Sequence, residues 1–265
     1  MLWKSWRDLR LFVWIGLGWL AVVAAAIVYA HLRGFGEAHI SASSSAGESA
    51  SVTAPLVAGL MFIQMAFVLL AWAMGTVGIG RDLGHGAGSW MLTRPTPRSR
   101  YVWTEWVSGL ATLAALLVSA EFLWWLGMRL HIFHFVIDTP HSATPVIYQP
   151  TFPLGLATMA SLCVFLLLAL IFSVTHCGTV TLRNSTRGLI SCLAFLIAYG
   201  ILYHEIARYG PTWMPRLPNL FLDPSFEHGS PLVYRPDLTS FLLERLAVLP
   251  IFPLIAHLFL RRAEV

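Results

Sequence analysis

The sequence predicts an all-α polytopic membrane protein with six transmembrane helices, and three observations carry that prediction. Of 265 residues, 57% are hydrophobic and only 11% charged, with a mean hydropathy of +0.70. A soluble domain carries roughly 25% charged residues to face water, so this chain has too few to cover an aqueous surface. Its apolar residues fall in long runs separated by short polar stretches, which fits helices and not the alternating strands of a barrel. Its basic residues also crowd the same alternate connections.

A hydrocarbon core of about 30 Å takes roughly 20 apolar residues per helix. Six runs qualify: 11–30, 55–79, 102–128, 154–175, 189–204 and 241–260. The first has no clear small-residue cleavage site after it, so it reads as a span and not as a signal peptide. An even count puts both termini on one side. That side holds eleven basic residues: Lys4, Arg7 and Arg10, then Arg81, Arg94, Arg98 and Arg100, then Arg183 and Arg187, and finally Arg261 and Arg262. The other side holds six over longer loops. The positive-inside rule therefore predicts cytoplasmic N- and C-termini; the expected location is the inner membrane of a bacterium, crossed several times.

The connecting segments differ in character. Residues 1–10 place Leu2, Trp6 and Leu9 on one helical face, with Trp3 beside them and cations opposite. Tryptophan mixed with cations predicts an interfacial helix that precedes the first span. The stretch SASSSAGESAS, within residues 33–53, reads as a flexible outer loop. Residues 205–240 form the longest outer segment, rich in proline and aromatics, and predict short re-entrant helices before the last span.

Most soluble chemistries are excluded. Lys4 is the sole lysine, so no G-x-x-x-x-G-K-[ST] phosphate loop exists and the chain has no usual means of hydrolysing ATP. The glycines at 75, 78, 80, 84, 86 and 88 lack dinucleotide-loop spacing and follow a membrane helix, not a strand. Cys163, Cys177 and Cys192 lie in or beside apolar runs and are odd in number, which predicts buried thiols instead of a disulfide framework. His131 and His134 would share a helical face and, with His141 and Asp138, offer metal ligands, but Pro140 and Pro145 argue against a continuous helix there. No metal, cofactor or catalytic residue is assigned. Glu121 is the most membrane-embedded carboxylate by position and is read as paired or interfacial, as are Glu244 and Arg245; His257 is read as a packing histidine. The arginines flank apolar runs and form no basic stripe, so the bilayer is the expected partner and nucleic acid is not.

The loop at 81–100 carries Asp82, Gly88-Ser89, Trp90-Met91-Leu92, Arg94-Pro95 and Arg98-Ser99-Arg100-Tyr101. In this order the residues resemble the permease subunit of type-2 ABC exporters, the ABC-2 type family. Members typically carry an acid, a small-residue pair, an apolar stretch, then arginine-proline and a second arginine-aromatic leading into the third helix. The plan of an interfacial helix, six spans and a long outer segment resembles the family too. Physics gives the loop a use of its own, because Trp90, Met91 and Leu92 are apolar residues beyond the membrane, where such side chains mark a partner surface.

The resemblance implies that Asp82, Trp90, Met91, Leu92, Arg94, Pro95 and Arg98 form the coupling piece seated in a separate P-loop ATPase subunit, which holds the ATP and magnesium. It implies a second permease copy or a homologous permease, with helices 1 and 5 at the dimer interface and translocation path. Trp14 and Trp19 on helix 1, and Ser191, Ala194 and Ala198 on helix 5, are the residues expected there. The expected function is membrane passage for export, with no enzymatic activity in this chain. The alternatives are a proton- or ion-coupled secondary transporter using Glu121 and the outer histidines, or a non-transporting membrane assembly subunit.

Overall fold

A backbone in hydrocarbon has only its own carbonyls to bond, and long apolar runs therefore fold as helices. The computed structural model describes residues 2–32, 37–41, 51–52, 55–78, 81–82, 98–129, 134–138, 146–148, 154–209 and 238–262. In chain order these form α1 (Leu2–Leu32), β1 (Glu37–Ser41), β2 (Ser51–Val52), α2 (Pro55–Met74), α3 (Arg98–Arg129), β3 (His134–Asp138), β4 (Val146–Tyr148), α4 (Leu154–Leu182), α5 (Ser185–Tyr209), α6 (Leu238–Val248) and α7 (Ile251–Arg262). Among the described residues, five helical stretches are long and apolar enough to cross a membrane: Lys4–Ala26, Arg100–Leu123, Ser161–Leu182, Ser185–Ile206 and Leu243–Arg262. The remaining expected span, α2, is a helix of 20 residues whose half from Met65 to Met74 is apolar.

α1, α3, α4 and α5 are longer than hydropathy alone predicts, whereas α2 ends at Met74, short of the expected residue 79. Residues 1–10 and 11–30, expected as two pieces, are one unbroken helix of 31 residues from Leu2. At 1.5 Å per residue α1 measures about 46 Å and α3 about 48 Å, so both exceed a hydrocarbon core of about 30 Å. The fourth span does not stop at residue 175, nor does the fifth begin at 189. Helix continues through Leu182 and resumes at Ser185, leaving a tight turn at Arg183 and Asn184. Arg183 takes the left-handed conformation at φ 52°, and the Asn184 carboxamide oxygen accepts the Arg187 N–H at 3.0 Å as the cap of α5. The polar residues that lower the hydropathy here are satisfied inside the helix: Thr175, Thr179 and Thr181 each donate to the carbonyl four residues back. The last expected span, 241–260, is two helices, because Pro250 has no N–H to continue the ladder.

α4 is the centre of the bundle. Two thirds of its apolar stretch is buried (67%), against 6% for α5, and every residue from Leu168 to Val180 is buried. Close packing on α4 depends on glycines. A side chain at Gly109 of α3 would enter the Phe172 ring, and one at Gly188 of α5 would meet the Thr179 backbone nitrogen at 2.8 Å. Small residues of this kind let helix backbones approach in lipid. Polar bonds fasten the neighbours: Trp106 Nε1 of α3 donates to Ser173 Oγ of α4 at 2.8 Å, and Trp72 Nε1 of α2 donates to the Leu189 carbonyl of α5 at 3.3 Å.

The connections expected on the outer side depart from expectation. Part of the stretch expected as a flexible loop, 33–53, forms β1 and β2, which join β3 and β4 in one four-stranded sheet of order β2-β1-β3-β4. β1 pairs in parallel with β3 (Glu37 opposite His134, Ser41 opposite Asp138), and the outer pairs are antiparallel. The parallel pairing has a simple cause. α1 and α3 lie side by side and run the same way, so the chain leaves both at the same end. His134 sits in a strand, which removes the single helical face expected for His131 and His134; His131 and His141 lie outside the described residues. α5 extends to Tyr209, and the re-entrant helices expected in 205–240 fall at 210–237, also outside them.

Candidate functional site

The sole lysine occupies the most highly charged place among the described residues. Lys4, one turn into α1, directs its Nζ at three carboxylates from three parts of the chain. Asp82 Oδ2 lies at 2.5 Å, Glu105 Oε1 of α3 at 3.5 Å and Asp8 Oδ2 of α1 at 3.9 Å. The Glu105 side chain is nearly buried at 10% exposure and that of Lys4 is 21% exposed. Ion pairs in such surroundings are screened far less than surface pairs, and removing one partner leaves an uncompensated charge. Lys4 therefore joins the start of α1, the segment after α2, and α3 at one end of the bundle.

The chain path after α2 is shaped to receive Glu105. α2 ends in a tightened turn, with Thr76 N bonding Ala73 O and Val77 N bonding Met74 O. Gly78 follows at φ +96°, and a Cβ there would collide with both Glu105 carboxylate oxygens and lie 2.7 Å from its Cδ. This is a position where only glycine combines the left-handed backbone with the close approach. Asp82 N then bonds the Gly78 carbonyl at 3.2 Å, opening the helical turn that carries the Asp82 carboxylate to Lys4. Ser185 Oγ bonds the Thr76 carbonyl at 3.1 Å, so the α4–α5 turn is tied to the same end. Beside the junction, Ser5, Asp8, Glu105 and His176 line a cavity of about 10 Å³, the room one water molecule needs.

A substitution at Gly78 tests this geometry. Gly78→Ala is expected to lower stability by about 2 kcal/mol, from backbone strain plus displacement of a nearly buried carboxylate. Thermal unfolding of the detergent-purified protein reads this out. A wild-type melting curve would remove the reason given for the glycine.

The structure distributes the remaining expected residues unevenly. Asp82 stands at the junction, and Arg98 opens α3. Trp90, Met91, Leu92, Arg94 and Pro95 lie outside the described residues. On helix 1, Trp14 is 70% exposed whereas Trp19 is half-buried. On α5, Ala194 and Ala198 lie on an open face with Leu193, Ile197 and Ile201, but Ser191 does not join them. Ser191 bonds the Gly188 carbonyl at 2.8 Å and packs on Gly178, so it belongs to the α4–α5 contact. Glu244 is exposed, but Arg245, expected at the interface, is buried in the bundle. Glu121 is partly exposed and takes no part in the charged junction. Among the described residues no group of histidines, cysteines and carboxylates is arranged to hold a metal.

Glu105 and the role of Lys4 are what the sequence reading missed. The signal was a lysine unique in the chain, four residues before Asp8, together with an acid, Glu105, in the first turn of the third apolar run.

Comparison with protein-family models finds no match, and comparisons with curated proteins and with solved structures find none either. The class is defined by the fold itself: several apolar helices of spanning length around one buried helix are those of a multi-pass membrane protein.

Proposed function

We propose that this chain is the membrane-spanning permease subunit of an ABC exporter. It crosses the bacterial cytoplasmic membrane six times with both termini inside, pairs with a second permease copy or a homologous one, and moves its substrate on ATP hydrolysed by a separate P-loop ATPase. The observation that carries the reading is the segment between α2 and α3. Its sequence has the family's order of acid, small pair, apolar stretch and arginine-proline, and its first acid, Asp82, is ion-paired to Lys4 beside Glu105. A push on that segment is thereby handed to α1 and α3 together. Such a connection is what an ATP-driven transporter needs between its engine and its helices.

Two measurements test this. A P-loop ATPase should co-purify with the tagged chain from its native membrane, and a chain that purifies alone and transports on an ion gradient instead would overturn the proposal. The topology predicts labelling as well. Cysteines placed at Ser44 and Ser230 should react with an impermeant maleimide from outside, and one at Ser99 only after permeabilisation. Outside labelling at Ser99 would break the six-span scheme.

A further inference from the structure

The geometry points to a site for one structural water in the small cavity behind Lys4, where it bonds His176 of α4 and Glu105 of α3 together and ties the central helix to the charged junction. His176 is the residue that calls for it. Its side chain lies in the bundle at 2% exposure, and its Nε2 has no hydrogen-bond partner among the described residues. Buried polar atoms are nearly always bonded, because taking one out of water without a partner is costly. Stacking holds the ring where it is: it lies on Phe172 with centroids 5.8 Å apart and planes at 16°.

Helix register sets an acid across from it. The Phe172 ring packs on Gly109 of α3. One turn further along α4 comes His176, and one turn back along α3 comes Glu105, so two helices running in opposite directions bring them to one level. Both side chains line the cavity, with Ser5 and Asp8 of α1. Its volume of about 10 Å³ is that of one water. A buried water makes about two to four hydrogen bonds, and the cavities that stay dry are apolar ones. This cavity is walled by four polar side chains from three helices.

The lining selects water over a metal cation of similar size. A hard cation takes about six oxygen ligands. Here one wall offers an imidazole nitrogen, and Lys4 already sets its positive charge 3.5 Å from Glu105 Oε1. Water both donates and accepts, so it serves an imidazole nitrogen and a carboxylate at once. A carboxylate accepts at about four lone-pair positions, so its contact with Lys4 leaves capacity for a water. With the water in place, α4 joins the start of α1, the segment after α2, and α3 in one polar assembly. α4 is the helix with the largest buried share, so the junction is fastened to the core of the bundle and not only to its periphery.

The experiment labels the full chain with ¹⁵N-histidine, places it in lipid vesicles, and measures magnetisation transfer from water protons to each imidazole by solid-state NMR. The His176 signal is identified among those of the ten histidines by its loss in His176→Phe, which keeps a ring on Phe172. Transfer to His176 should approach that of exposed His204, although His176 is buried. Ser5→Leu, which fills the cavity from α1, should cut it roughly fivefold. Leu9→Phe fills the same space from the next turn should the first variant not fold. Ser119→Leu makes the same exchange far along α3 and should leave the transfer unchanged. Replacing sodium in the buffer with N-methylglucamine should leave the His176 shift where it is. Transfer in the wild type no greater than in the filled variants overturns the site, and a sodium-dependent His176 shift overturns it by making the occupant a cation. None of these readouts involves transport or ATP turnover, so the water site and the exporter proposal fail separately.

Discussion

Replacing Trp90 and Leu92 with glutamate is expected to abolish ATPase-stimulated turnover and transport while expression, helical content and self-association persist. The warrant is position in the sequence. Both residues fall between the second and third apolar runs and outside all six expected spans, so the exchange puts no charge into a span. An apolar anchor in a partner's cleft contributes about 2 kcal/mol, roughly thirty-fold in affinity, and a carboxylate in its place adds a desolvation cost. Two such changes should therefore release the ATPase subunit. Neutralising Arg94 and Arg98 should have the smaller effect, because those charges have lipid phosphates as an alternative partner. Pull-down of the ATPase, followed by vesicle transport, checks the order of these effects. A double glutamate variant that retains its ATPase and transports at the normal rate would remove the main reason for reading the chain as an exporter subunit.

Much of the fold was legible because lipid imposes a simple rule on sequence. A run of about 20 apolar residues can only be a helix or buried, and α1, α3 and α4 stand where hydropathy put them. The helix ends were less legible. His176, Gly178 and Thr179 lower the hydropathy, yet Gly178 and Thr179 lie in the α4–α5 contact and His176 is buried beside the charged junction, so protein and not water surrounds them. Hydropathy records the preference for a solvent and is blind to burial against a neighbour. The small sheet was hidden for another reason: β1 and β3 are five residues each and pair across more than 90 positions of sequence, so neither has enough local pattern to declare itself. The charged junction was half legible. Asp82 drew attention through the residues that follow it, whereas Glu105 looked like one acid at the start of a span. Its meaning depends on Gly78 and on Lys4, which is 101 residues away in the chain.

That junction gives the second large expected effect. Lys4→Met should cost about 2 to 3 kcal/mol of stability, because it removes a cation that Asp8, Asp82 and a nearly buried Glu105 share. Lys4→Arg, which keeps the charge, should restore most of the loss. The decisive comparison is a double-mutant cycle. Glu105→Gln alone should destabilise by about 1 to 2 kcal/mol through the loss of charge-assisted bonding. In the Lys4→Met background the same change should cost little or even stabilise, since it relieves repulsion among carboxylates that no longer share Lys4. The coupling energy between the two positions should then exceed about 1 kcal/mol, more than distant sites show. If the exporter proposal holds, the same Lys4→Met protein should also turn over ATP with its partner yet transport poorly, because the segment after α2 has lost its tie to α1 and α3. Strict additivity in the thermal-unfolding cycle would mean that Lys4 and Glu105 act independently, and a Lys4→Met variant that transports normally would show that the junction holds the bundle together without transmitting the push.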